Sequence, residues 1–171
     1  MKAYTLAYLN SVPLEEFVAL VGPVFEHSPW IAQATWGRRP FSSLEHLHRA
    51  LCETVHSSSE EKQLALIRAH PDLVGRAALA GTLTQASTSE QASAGLDKLT
   101  DQKVALFQKF NQAYREKFGF PFVICARLNK KEAILDGFQI RLPHSREEEI
   151  KTALAEIEKI AYLRLKDLIE G

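Results

Sequence analysis

Apolar residues recur at intervals of three and four along almost the whole chain, and that spacing constrains the fold more than any other feature. Leu44, Leu47, Leu51 and Val55 form one series. Leu96, Leu99, Phe107, Phe110, Tyr114 and Phe118 form a second, with a polar skip at Lys103. Ile150, Leu154, Ile157, Ala161, Leu165 and Leu168 form a third. Each series lines one face of a helix, and that face must be buried against another element. Ser42-x-x-Glu45, Ser58-x-x-Glu61, Ser87-x-x-Glu90 and Ser145-x-x-Glu148 have the form of capping boxes. In such a box a hydroxyl and a carboxylate satisfy open N–H groups of a first turn. Ser11 followed by Pro13 marks a further start, because proline sacrifices no hydrogen bond there.

The interruptions are as informative. Gly22-Pro23, Ser28-Pro29, Gly37 with Pro40, His70-Pro71, Gly81, Gly119 with Pro121, and Pro143 punctuate the helical pattern. The run Phe120-Pro-Phe-Val-Ile-Cys125 has strand-like character, but with no second strand to pair with it is expected to be an extended, buried connection. The expected fold is therefore all-α: one domain over residues 1–171, a compact bundle of about seven to nine helices. A chain of 171 residues is long enough for a substantial core, burying roughly 70% of its unfolded surface.

Charge narrows the partners. Lys plus Arg and Asp plus Glu each number 21, so no bulk field favours nucleic acid or an anionic membrane. The apolar runs are shorter than the ~18 residues a membrane span requires. The first residues lack the apolar run of a secretory signal. Cys52 and Cys125 form no Cys-x-x-Cys or scaffold pattern and read as reduced thiols of a cytoplasmic protein.

Chemistry-bearing residues concentrate between Arg68 and Leu99. Pro71 disfavours helical geometry at His70, so the imidazole is expected at a helix end, projecting into a connection. The plain reading is a C-terminal cap; the functional one is an acid–base group. Glu90 closes the Ser87 capping-box pattern, and a carboxylate fixed at a helix N-terminus beside His70 would complete an oriented couple. Gln91 adds a donor and acceptors for a polar ligand. Arg164 lies at the edge of the last apolar stripe, where a guanidinium either meets a carboxylate or clamps a carboxylate or ureido group of a ligand.

Other chemistries fit less well. His48, Cys52 and His56 are spaced i, i+4, i+8, which sets the outer α-carbons about 12 Å apart, too far to share one ion comfortably. His27 and His144 stand beside turns and read as surface residues. Cys125 sits in Phe-Val-Ile-Cys like a packed core thiol, and neither a nucleophile elbow nor a glycine-rich phosphate loop is present.

Several motifs in order carry a resemblance. They are Phe25-Glu-His-Ser-Pro-Trp30, Arg39-Pro-Phe41, Ala69-His-Pro-Asp-Leu73 with Gly75, and Leu83-Thr84. They continue with Ser87-x-x-Glu90-Gln91, Ala94-Gly-Leu96, Phe118-Gly-Phe-Pro-Phe122, Arg141-Leu142, and Ile160-Ala161 with Arg164-Leu165. Together they make the chain resemble the 2-oxo-4-hydroxy-4-carboxy-5-ureidoimidazoline (OHCU) decarboxylase family over nearly its whole length. Pro143 and His144 stand where that resemblance leads one to expect a different polar pair.

The resemblance implies an all-helical carboxy-lyase without metal or organic cofactor, converting OHCU to (S)-allantoin in urate breakdown. His70 would be the catalytic histidine and Glu90 its acidic partner. Pro71 would border the ring, and Ser87, Thr88, Ser89, Glu90 and Gln91 would form one wall of the substrate pocket. Phe122, Val123, Ile124, Cys125 and Ala126 would form the other wall through backbone groups, and Arg164 would be its cation. The partner is a small molecule rather than nucleic acid or membrane, and the resemblance implies a homodimer. The ending Leu168-Ile-Glu-Gly171 lacks the peroxisomal tripeptide of eukaryotic relatives, consistent with a cytoplasmic and bacterial protein. Two other readings stay open at this point: a non-catalytic helical interaction module, and a cofactor-free lyase or hydrolase of another ureido compound.

Overall fold

Several helices open where a hydroxyl captures a first-turn N–H, as Thr5, Ser43, Ser59, Thr84 and Thr100 do. In the computed structural model, which describes residues 3–170 (Arg76 and Ala77 as backbone only), ten α-helices follow one another. They are α1 (Leu6–Ser11), α2 (Leu14–Val21), α3 (Trp30–Thr35), α4 (Leu44–His56) and α5 (Glu60–Arg68). Then come α6 (Arg76–Ala80), α7 (Gln85–Ser93), α8 (Asp101–Phe118), α9 (Lys131–Arg141) and α10 (Arg146–Leu168). Short 3₁₀ turns occupy Gly22–Val24, Trp36–Arg38 and Ala126–Leu128. The only β-type pairing among the described residues is an isolated bridge between Tyr4 and Ile169, so the fold is all-α.

One capping box forms as read from the sequence. Ser145 Oγ accepts the Glu148 N–H at 3.2 Å, and the Glu148 carboxylate accepts the Ser145 N–H at 3.3 Å. Hydrogen bonding from the Ser145 backbone N–H, and then from its side chain, holds the Glu148 carboxyl below the usual carboxylate range. The other three boxes are displaced. Ser43, not Ser42, caps α4; Ser59, not Ser58, caps α5; Thr84, not Ser87, caps α7. Ser11 closes α1 rather than opening α2, whose N-cap is Pro13. The stripe beginning at Leu96 does not lie on one helix: Leu96 and Leu99 precede Thr100, which caps α8 at 3.2 Å from the Lys103 nitrogen.

The described chain divides into two compact units: residues 3–69 with 158–170, and residues 70–157. In the first, α3 packs on α2 and α4, and Phe17, Ile31, Leu47, Leu51, Ile160 and Leu165 are buried. The segment around Arg39 is stitched to the end of α1: Asn10 bonds both backbone groups of Phe41, and Arg39 Nη1 donates to the Val12 carbonyl at 2.7 Å.

In the second unit α8 packs on α9 around buried aromatic rings. Phe122 stacks on Phe138 with centroids 3.9 Å apart, and Tyr114 meets Phe122 edge-on at 5.3 Å. Such pairs contribute about 0.5–1.5 kcal/mol each beyond the apolar area they bury. Phe120 to Cys125 is the extended, buried connection expected from its sequence, with Ile124 alone half-exposed. No helix among the described residues is long and apolar enough to cross a membrane.

Candidate active site

Three segments of the second unit converge on the residues singled out in sequence. The first is the connection from His70 to Gly75, which begins one residue past the Ala69 cap of α5. His70 is 6% exposed, so its imidazole is buried rather than projecting into solvent. The connection is held from three sides. Gln91 Oε1 accepts the Val74 N–H at 3.1 Å while its Nε2 reaches the Asp72 carbonyl at 3.4 Å. Asn111 donates to the Leu73 carbonyl at 2.8 Å, and Arg115 Nε pairs with the Asp72 carboxylate at 3.0 Å.

These anchors hold an unusual backbone. Val74 takes φ +54°, a conformation a β-branched residue enters only when its surroundings demand it. Gly75 follows because a Cβ there would lie 2.6 Å from Asp72 Cβ. The Gly75 of the sequence motif is thus fixed by close approach.

The second segment is α7. Since Thr84 is its cap, Glu90 is not the first-turn carboxylate expected from the sequence but lies in the second half of the helix. The helical twist buries Ser87 and Gln91, leaves Glu90 half-buried, and turns Thr88 and Ser89 to solvent. Gln91 has both ends of its amide committed to backbone, so in this structure it positions the His70 connection.

The third segment is residues 122–126. The 3₁₀ turn Ala126–Leu128 packs against α7, and the Lys131 N–H reaches the Ala94 carbonyl at 3.2 Å. The Cys125 N–H is taken by Glu156 Oε1 at 3.0 Å and the Val123 carbonyl by Arg141 Nη1 at 2.8 Å. The Cys125 thiol is buried as expected, and burial pushes it up, with the Glu156 and Glu90 carboxylates adding to the effect.

Arg164 belongs to the other unit. It is 7% exposed and paired with Glu26, itself 3% exposed, at 3.0 Å; its other arm donates to the Pro23 carbonyl at 3.1 Å. The His48–His56 series is also structural: His48 Nε2 donates to the Glu158 carbonyl at 2.8 Å and His56 pairs with the Glu158 carboxylate at 2.5 Å. Burial beside Glu158 pushes the Cys52 thiol up to about 12.

A profile of the OHCU decarboxylase family matches residues 10–166. The chain belongs to that family. The 2-oxo-4-hydroxy-4-carboxy-5-ureidoimidazoline decarboxylase of Halalkalicoccus jeotgali is 45% identical over 168 residues, covering 98% of this chain and 93% of that protein. The crystal structure of an (S)-allantoin synthase matches with a TM-score of 0.78 at 30% identity, over 97% of this chain and 54% of that one. A structure of OHCU decarboxylase in the presence of (S)-allantoin shares the fold, with a TM-score of 0.67 at 19% identity, over 90% of this chain and 96% of that one.

Against the family frame, sequence reasoning missed the buried polar residues behind the site. Asn111 occupies the apolar face of α8 between Phe107 and Tyr114, and that break in the stripe was the available signal. Glu149 is fully buried and accepts from Arg141 Nε at 2.8 Å and from the Tyr114 hydroxyl. His144, expected at the surface, is half-buried with Nδ1 3.0 Å from Glu149. No local signal in the sequence announces that Glu149 and Glu156 face inward.

Proposed function

We propose that this protein decarboxylates OHCU, releasing carbon dioxide and forming (S)-allantoin in the oxidative breakdown of urate, and is thus a carboxy-lyase. The observation that carries the reading is the convergence, in a chain of this family, of the His70 connection, the Glu90-bearing helix and the 122–126 segment within one unit.

The substrate explains the parts. One ring carbon bears a hydroxyl and a carboxylate beside a carbon–nitrogen double bond. When the carboxylate leaves, its bonding pair becomes a carbon–carbon double bond and the imine pair moves to nitrogen, which takes a proton. The ring is its own electron sink, so the step needs no external cofactor to receive the pair. Loss of the hydroxyl proton and gain of one at the ureido-bearing carbon then complete allantoin, and the face of that last addition sets its handedness.

His70 is assigned the proton exchange with the hydroxyl or the ring carbon, with Glu90 as the carboxylate that orients it; such steps are worth roughly 10²–10⁴ in rate. Pro71, Ser87 to Gln91 and Phe122 to Ala126 are assigned the ring's surroundings, and Arg164 the polar rim of the substrate. Residues 1–171 are read as one functional domain because the family profile crosses both units. A cytoplasmic setting is supported by two buried free thiols. The homodimer rests on the family resemblance.

The test generates OHCU from urate with urate oxidase and hydroxyisourate hydrolase and follows circular dichroism. Added protein produces an optically active signal faster than spontaneous decay; a racemic product at the background rate refutes the reading.

A further inference from the structure

Two buried side chains, Arg141 and Glu156, engage the backbone of the wall formed by residues 122–126. Arg141 Nη1 donates to the Val123 carbonyl at 2.8 Å, and Glu156 Oε1 accepts the Cys125 N–H at 3.0 Å. Arg141 is itself fixed, since its guanidinium lies 4.2 Å from the centre of the Phe122 ring and its Nε is bound at 2.8 Å to Glu149. The two peptide groups so engaged are the ones that flank Ile124. In a trans peptide the carbonyl and the N–H point in opposite directions. Binding the Val123 carbonyl therefore turns the Ile124 N–H away from Arg141, and binding the Cys125 N–H turns the Ile124 carbonyl away from Glu156. Neither Ile124 backbone group has a hydrogen-bond partner among the described residues, and Ile124 is the only half-exposed residue of the segment.

We infer that Arg141 and Glu156 are positioning residues, which hold the Ile124 N–H and carbonyl as a preset donor–acceptor pair for the N–H and C=O of a ureido or ring-amide group of the ligand. This inference rests on the proposed function and adds the residues that orient its substrate. The brace acts on ligand binding, because its bonds to the wall are to backbone groups. Loss of one such hydrogen bond translates into about a tenfold loss of affinity.

The experiment has an arm that does not depend on turnover. In wild-type protein, amide hydrogen exchange shows Cys125 N–H protected and Ile124 N–H exchanging about tenfold faster or more, and added allantoin slows exchange at Ile124. Glu156→Leu abolishes protection at Cys125 and raises KM for OHCU about tenfold, with kcat within about threefold of wild type. Glu156→Gln, whose amide oxygen still accepts the Cys125 N–H, restores both readouts. An Ile124 amide as protected as Cys125 in the ligand-free protein, an unchanged KM in Glu156→Leu, or equal behaviour of the Leu and Gln variants overturns the inference. If wild-type protein turns over no OHCU, the proposed function fails. The brace is then decided by the exchange rates at Cys125 and Ile124 alone.

Discussion

Gln91 Oε1 accepts the backbone N–H of Val74 at 3.1 Å, so a side chain of α7 fixes the strained end of the segment that carries His70. The bond couples two motifs that lie 17 residues apart and gives the family's Glu-Gln pair two different tasks. Gln91 holds the loop, and the half-buried Glu90 is the carboxylate that the proposed function assigns to His70.

Replacing Gln91 by Leu leaves the Val74 N–H buried without an acceptor. The expected cost is about 1–3 kcal/mol of stability, read as a lower urea midpoint at unchanged slope. Activity falls with it, because the loop bearing His70 loses its anchor. Unchanged stability and kcat/KM in this variant would show that the loop is held by its other contacts.

Gly75→Ala tests the same loop from the opposite side. The new Cβ would meet Asp72 Cβ at 2.6 Å, so the backbone must shift, at about 1–3 kcal/mol. The shift moves the Asp72 carboxylate off Arg115, now 3.0 Å away. Thermal unfolding and kcat both register it; a variant indistinguishable from wild type contradicts the account.

In the other unit, Glu26→Ala leaves the Arg164 guanidinium without the carboxylate it meets at 3.0 Å. Breaking a buried pair by removing one partner costs about 3–5 kcal/mol. Denaturant titration should show a loss of that size. A loss below about 1 kcal/mol would mean that the pair contributes little where it is.

Alkaline pH should destabilise the fold. Burial pushes the Cys52 thiol up to about 12, raises Cys125, and raises the Tyr114 hydroxyl, in each case as the leading cause. Unfolded thiols ionise near ~8.5 and tyrosine near ~10, so the native state keeps protons that the unfolded chain releases. The stability held by these neutral groups is complete below ~8.5 and is lost as pH rises toward the folded values. Urea titrations at neutral pH and at about pH 10.5 should show the decline, and a Cys52→Ala, Cys125→Ala variant a shallower one. A flat profile in the wild-type protein would contradict the burial argument.

Much of this fold can be read from the chain because its determinants are local. The α10 stripe and the Ser145–Glu148 box follow from neighbours within one or two turns. The position of Glu90 is ambiguous in sequence because Thr84 and Ser87 both offer a hydroxyl three residues before a possible first-turn N–H. The earlier one captured the helix, closely following the φ +72° turn at Gly81. Motif order alone singles out His70, Glu90 and the 122–126 segment as candidates. The brace behind them could not be read this way. Glu156 meets Cys125 across 31 residues and Arg141 meets Val123 across 18, contacts set by how helices pack rather than by local propensity.

Under the proposed function, the buried imidazole of His70 drives the decarboxylation. The most direct measurement is kcat/KM for OHCU, followed by circular dichroism of the product, in wild-type protein and in His70→Asn with its fold verified by thermal unfolding. A fall of roughly 10²–10⁴ and loss of the optically active signal above the spontaneous rate are expected. A folded His70→Asn variant that forms (S)-allantoin at the wild-type rate would contradict it.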